Sequence, residues 1–170
     1  MNAEEFLCAR CAKKGKTCCQ GHDIYITIGD TRRITDFTGS ADFYEYRRPA
    51  DPAYLDQEDD PVWCRYVFAP DGSRRVLKRN LIEDCLFLRK NGCILPLEIR
   101  PLVCRLHPYS YTADGISEVL TCECPLNFLG PGQTLDQALN LSAQVAERWQ
   151  HMLYREITLE NVCHENRFNL

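Results

Sequence analysis

The chain has 170 residues, 45% of them hydrophobic and 26% charged, with 20 basic against 24 acidic side chains and a net charge of −4. That size suits one domain with its own core and no need of covalent staples. The balance leaves no basic surplus to neutralise phosphates, which argues against a nucleic-acid partner, and no run approaches the roughly 20 apolar residues of a membrane helix.

The N-terminus, Met1-Asn2-Ala3-Glu4-Glu5-Phe6-Leu7-Cys8, lacks the basic-then-apolar plan of a signal peptide. The expectation is a cytoplasmic protein. In a reducing compartment, 11 cysteines read as metal ligands or redox groups rather than disulfides. Their odd number also leaves one unpaired in any all-disulfide scheme.

In chain order, residues 3–12 read as a short helix ending in Cys8 and Cys11, and a polar loop leads to Cys18-Cys19. Residues 24–28 alternate like a strand. Residues 31–37 suit a short helix with Ile34 and Phe37 on one face and Gly39 as its C-cap. Residues 40–61, with Pro49, Pro52, Pro61 and an acidic run, suggest loop and helical turns. A hairpin is expected from residues 62–69 and 74–79 around Pro70-Asp71-Gly72-Ser73. Residues 85–108 hold Cys85, Cys93 and Cys104 among short apolar runs, with a tight turn at Asn91-Gly92. A second hairpin follows, from residues 109–112 and 116–121, and leads directly into Cys122-Glu123-Cys124-Pro125.

The clearest helix covers residues 135–154. Leu135, Ala138, Leu139, Val145, Trp149, Met152 and Leu153 share one apolar face, and Thr134 with Gln137 fits a capping box. This helix reads as a packing element over the core. The expected architecture is a small, irregular α+β single domain spanning 1–170. It has two β-hairpins, an insert over 40–80 and a C-terminal helix over 134–155, all organised around a cysteine-ligated metal centre.

The cysteines fall into two groups. The first is Cys8-x2-Cys11-x6-Cys18-Cys19. Two thiolates at CxxC spacing can point at one ion. The adjacent pair is different, because neighbouring side chains on extended backbone diverge. A larger iron–sulfur core accommodates such a pair, and so does division of the pair between two sites. The second group is Cys85-x7-Cys93-x10-Cys104-x17-Cys122-x-Cys124, ending in a Cys-Pro step of the kind seen in ferredoxin ligand runs. Nine thiols suffice for two four-cysteine centres and one spare, with the partition between them left open. If the N-terminal group folds onto the second, a metal would tie distant parts of the chain together. Cys64 and Cys163 read as outside the clusters.

Arg100 and Arg105 lie near cluster cysteines in sequence and are candidates to offset the negative charge of a thiolate-ligated centre, as is Arg89. His107 and His22 are further zinc-ligand candidates. Gly15-Lys16-Thr17 echoes the end of a P-loop but lacks its first glycine and preceding strand.

The cysteine groups, together with Arg100-Pro101-Leu102-Val103-Cys104-Arg105 and the stretch from Ile24 to Arg33-Ile34, resemble the bacterial CxxCxxCC cysteine-cluster family, described as a putative zinc- or iron-chelating domain. The likeness runs from Cys8 to Cys124. This chain departs from the family's compact first cluster by its six residues between Cys11 and Cys18, and by the 40–80 insert with Cys64. The resemblance implies ligands at Cys8, Cys11, Cys18, Cys19, Cys85, Cys93, Cys104 and one of Cys122 or Cys124, with Cys122 preferred. It implies a metal ion as the partner, held as a 4Fe–4S cluster or as zinc. A related domain in flagellin lysine methylases opens an enzymatic alternative: a small iron–sulfur oxidoreductase or a methyl-transfer accessory. A thiol-based redox sensor is the second alternative, with Lys13, Lys14 and Lys16 available to activate a cysteine.

Overall fold

The computed structural model describes residues 7–15, 17–119 and 124–165; the side chains of 118, 119 and 161–165 lie outside that description. Helix α1, Leu7–Lys14, opens the described chain, buries Leu7 and Cys11, and ends in two lysines. Helix α2, Ile28–Thr38, has a full capping box: Thr27 Oγ1 accepts the Asp30 N–H at 2.9 Å, and Asp30 Oδ2 accepts the Thr27 N–H at 3.1 Å. Gly39 closes it at φ 72°, a left-handed value that glycine adopts without strain. The helix expected over 31–37 is therefore present, one turn longer at its start.

Capping by Thr27 shortens the strand expected over 24–28. Ile24 and Ile26 bond to Leu77 and Arg75, and Tyr25 bridges Val76, before the chain turns helical. Their partner is strand β2, Arg74–Leu77, buried along its whole length, which also pairs antiparallel with β1, Tyr44–Arg47.

The hairpin expected from 62–69 and 74–79 is not formed. Pro61–Val67 is helix α3, capped by Asp60 Oδ1, which accepts the Trp63 N–H at 3.1 Å, with Pro61 in the first turn. The aromatic and β-branched content of this stretch suggested a strand. The Asp-Pro start and the i, i+4 spacing of Trp63 and Val67, both buried, decide for helix. The expected turn exists, with Gly72 at φ 80°, and joins helix to strand.

Strands β3, Leu88–Arg89, and β4, Gly92–Cys93, form a small hairpin across Asn91-Gly92. Helix α4 is Leu102–Leu106. Strands β5, Tyr109–Thr112, and β6, Gly115–Val119, make the hairpin expected there. The fold class is thus the expected one: a small α+β single domain of helices and short antiparallel hairpins.

The single helix expected over 135–154 is two. Helix α5, Leu135–Leu139, starts with the Gln137 side chain accepting the Thr134 N–H at 3.1 Å, as the capping box requires. It ends at Asn140, in the left-handed region at φ 50°. Helix α6, Ala143–Glu165, then runs past the expected end. Its Ala146, Trp149, Leu153 and Ile157 face the core. The apolar spacing continues through the break, so only Asn140 and Ser142 marked it.

Two cores result. The larger gathers α1, α3, α4, α5 and α6, with Trp63 stacked edge-on against Tyr25 at 5.1 Å. The smaller holds Ile24, Ile26, Ile34, Phe43, Leu77, Phe87 and Leu95. Among the described residues no helix is long and apolar enough to cross a membrane.

Candidate metal centre

Cys8 and Cys11 lie three residues apart on α1 and so share a face. Cys18 and Cys19 sit in the turn after it. Gln20 Oε1 accepts the Thr17 N–H at 2.7 Å, and the Thr17 hydroxyl lies 3.0 Å from the Cys19 sulfur. An antiparallel bridge between Gln20 and Asp84 then joins this turn to the segment that carries Cys85. Cys93 is on β4, and Leu88, its cross-strand neighbour, bonds back to the Cys85 carbonyl at 2.9 Å. Cys104 is in the middle of α4. Cys124 is buried, with its sulfur 4.0 Å from His107 Nε2.

The two cysteine groups meet because α1 packs directly on the β3–β4 turn. Gly92 has φ 98°, and a Cβ there would come within 3.1 Å of the Ala9 Cα, against backbone that cannot swing aside. Arg10 reaches from α1 to the segment after Cys124, bonding Gln133 Oε1 at 2.9 Å. Cys8, Cys11, Cys18, Cys19, Cys85, Cys93, Cys104 and Cys124 are not joined in disulfides.

Their charges act on one another. Burial pushes the Cys104 thiol well above its ordinary value, and Cys85, Cys93, Cys19 and Cys18 push it further. Burial lifts Cys85 to about 12, helped by Cys19 and Cys93. Cys8, Cys11 and Cys19 are also raised, with burial the largest cause of each. Cys18 is an exposed residue, yet the protein around its sulfur and the neighbouring Cys8, Cys19 and Cys124 raise it too. Such a cluster resists carrying several negative charges by itself. A cation among the sulfurs reverses that preference, since thiolates are its natural ligands. The donor chemistry therefore fits a thiophilic metal. Among the described residues, no three Cys, His, Asp or Glu side chains are grouped so as to hold a metal ion.

The arginines divide. Arg100 lies close enough to Cys8 to oppose the rise in its pKa, and its Nε donates to the Leu95 carbonyl at 3.0 Å. Arg105 is buried and donates to the carbonyls of Arg100 and Glu98, each at 2.7 Å, with its guanidinium over the Trp149 ring. The charges acting most on it belong to Arg33, Asp30, Glu98 and Glu156, none of them a thiol. Arg89 bonds to the carbonyls of Leu86 and Leu88. Cys64 stands apart in α3, its sulfur accepting the Gln57 N–H at 3.2 Å. Cys122 and the side chain of Cys163 lie outside the described residues. Two contributors were not anticipated from sequence: the Thr17 hydroxyl beside Cys19, and the buried Asp30 that holds the start of α4. The capping-box spacing of Thr27 and Asp30 was the available signal for the second.

Fold and site together define a small thiol-rich α+β domain. Residues 7–125 match the CxxCxxCC family model, described as a putative zinc- or iron-chelating domain, and the chain belongs to that family. The matched region spans both cysteine groups and stops before α5 and α6. No curated protein and no solved structure matches the chain.

Proposed function

We propose that the protein is a metal-binding module that holds zinc or an iron–sulfur centre. Its ligands are the thiolates of Cys8, Cys11, Cys18, Cys19, Cys85, Cys93, Cys104 and Cys124, with Cys122 a further candidate donor. One observation supports this above the rest: the family model described as a zinc- or iron-chelating domain matches residues 7–125, the span that carries both cysteine groups. Packing alone has no use for so many sulfurs in one place, whereas soft thiolate sets select zinc and iron–sulfur centres. The bound group supplies the positive charge that stabilises the thiolates and joins the segments bearing them. Arg100 offsets part of the remaining negative charge beside Cys8. The role that follows is structural, storage or delivery of the metal.

The test is purification without oxygen, followed by an absorption spectrum and by zinc, iron and acid-labile sulfide analysis. Iron with sulfide and broad visible absorption identifies an iron–sulfur centre. A colourless protein with stoichiometric zinc identifies a zinc module. A folded protein that neither contains metal nor takes it up overturns the proposal.

A further inference from the structure

We propose that Arg74 anchors a second binding site, one that uses no cysteine and takes a small monocarboxylic acid with an apolar body. The site lies in the 40–80 insert, the stretch by which the chain departs from its family's pattern. It stands or falls independently of the metal-binding reading above.

Arg74 is a buried cation without a counter-ion. It is 8% exposed, and its Nε has no hydrogen-bond partner. Arg33, Arg75 and Arg79 also leave Nε without an acceptor, but each holds a carboxylate at its Nη end: Glu156, Glu160 and Asp23 respectively. No carboxylate among the described residues pairs with Arg74 in this way. Burial is the largest influence on Arg74 and pulls its pKa down, as desolvation of a cation does. A guanidinium cannot give up its proton at ordinary pH, so the charge stays and calls for an anion.

The neighbouring carboxylates are committed elsewhere. The β1–β2 register sets Arg47 directly opposite Arg74, so two like charges share one face of the ribbon. Asp23, the strongest attraction on Arg74, is shared by Arg47 at 3.0 Å and Arg79 at 2.6 Å. Glu45 pairs with Arg47. Asp71 accepts from the Ser73 N–H at 2.9 Å and from its hydroxyl at 2.6 Å. One positive charge is left uncompensated at Arg74. A monoanion balances it, whereas a dianion such as phosphate overshoots it.

The surroundings set the rest of the ligand. The guanidinium carbon lies 5.4 Å from the centre of the Tyr54 ring and 5.7 Å from that of Phe68. Leu55 stands close by, its Cδ1 3.6 Å from where a Cβ on Gly72 would fall. These walls are apolar. Neither ring face offers an oxygen, so the planar fork of donors is unfilled, and a carboxylate fits it with two parallel bonds. The cover over the site is thin. Tyr54 is 47% and Leu55 41% exposed, and no residue of the one-turn helix Pro52–Leu55 that carries them is buried. A small acid therefore reaches Arg74 past solvent-facing side chains rather than through the core.

The test is titration of the full-length protein, as purified, with benzoate and with hexanoate at constant ionic strength. Melting temperature and the aromatic NMR signals are the readouts. Both acids should raise the melting temperature saturably, and chloride and phosphate should not. Arg74→Lys keeps the charge but not the fork and should bind about tenfold more weakly or worse. Arg74→Met should not respond, while Arg32→Met, at an exposed position of α2, should respond as wild type does. A wild-type protein with no saturable response to either acid overturns the proposal. So does an Arg74→Met variant that responds like wild type, or phosphate acting as strongly as benzoate. The NMR readout needs no variant: benzoate should shift the ring signals of Tyr54 and Phe68, and shifts confined to other rings overturn the site. Metal content is measured separately, so failure here leaves the metal-binding reading intact.

Discussion

The carboxylate of Asp30 accepts the backbone N–H of Leu102 at 3.2 Å, across 72 residues of chain. The same side chain caps its own helix through the Thr27 N–H and pairs with Arg33 at 2.6 Å, all with no exposure to solvent. Leu102 begins α4, and Pro101 before it offers no side-chain cap. One aspartate therefore serves the starts of two helices and fixes the helix that bears Cys104.

Replacing Asp30 tests that double role. Asp30→Ala strands two buried N–H groups and leaves Arg33 with Glu156 alone, and should cost about 2–4 kcal/mol. Asp30→Asn keeps an acceptor oxygen and should cost about 1–2 kcal/mol. Urea unfolding measures both. A loss below about 0.5 kcal/mol for Asp30→Ala would show that the carboxylate is dispensable.

The same residue sets a pH dependence. Burial is the largest influence on Asp30 and raises its pKa, against the pull of Arg33 and the Thr27 N–H. A carboxyl whose folded pKa exceeds its unfolded value adds stability that is complete below about pH 4. That contribution is lost as pH rises through the folded pKa. The stability advantage of wild type over Asp30→Asn should therefore shrink from pH 4 to pH 7. Growth over that range would mean that Arg33 outweighs burial.

Gly92 is the contact through which α1 sits on the β3–β4 turn. Gly92→Ala must place a Cβ at φ 98° and 3.1 Å from the Ala9 Cα. Backbone strain and displacement of α1 together should cost about 1–3 kcal/mol. Metal content should fall as well, because Cys8 and Cys11 move with the helix. Thermal melting and elemental analysis read the two effects, and a variant that keeps both values would exclude this contact as the link between the cysteine groups.

What could be read from the sequence follows from which signals are local. The α2 C-cap at Gly39, the start of α5 at Thr134 and the hairpin around Asp114-Gly115 depend on a few neighbouring residues, and each was legible. The partner of β2 was not. Its neighbours β1 and Tyr25 lie tens of residues upstream, whereas the nearer candidate, residues 62–69, had strand-like composition but an Asp60-Pro61 helix start. The two cysteine groups were visible as spacing. That they meet depends on Gly92 against Ala9 and on the Gln20–Asp84 bridge, contacts that no local pattern encodes. Arg105 shows how little sequence adjacency says about side-chain direction. Its position beside Cys104 in sequence suggested a role toward the centre, but a helix turns successive side chains to different faces, and its guanidinium lies over Trp149.

Metal removal should separate the clustered cysteines from Cys64. Structural zinc contributes roughly 10–16 kcal/mol in small peptides, so chelation should lower the melting temperature here by about 10 °C or more. Cys64→Ser should bind the same metal as wild type and lose the same stability on chelation, since its sulfur contacts Gln57 in α3. An unchanged melt after complete chelation would remove the structural role of the metal. A halved metal content in Cys64→Ser would bring that residue into the site.

Helix α6 lies beyond the family match; its apolar face packs in the larger core, and its acidic side chains reach the start of α2 and β2. Arg33 grips the Glu156 carboxylate at 2.7 and 3.0 Å, the Thr27 hydroxyl donates to the same carboxylate, and Arg75 pairs with Glu160 at 3.2 Å. Gly29 makes room for this: a Cβ there would fall 2.2 Å from Glu156 Oε2. Gly29→Ala must push the Glu156 side chain away, and Glu156→Ala removes it, so both act on one interaction. Each should cost about 1–3 kcal/mol. Together they should cost scarcely more than the worse of the two, because the second change finds the contact already broken. Urea unfolding of the full cycle, followed by tryptophan fluorescence, measures this. Additive losses would show that Gly29 and Glu156 stabilise the protein separately, and that the close approach of α6 to α2 is not what holds the helix down.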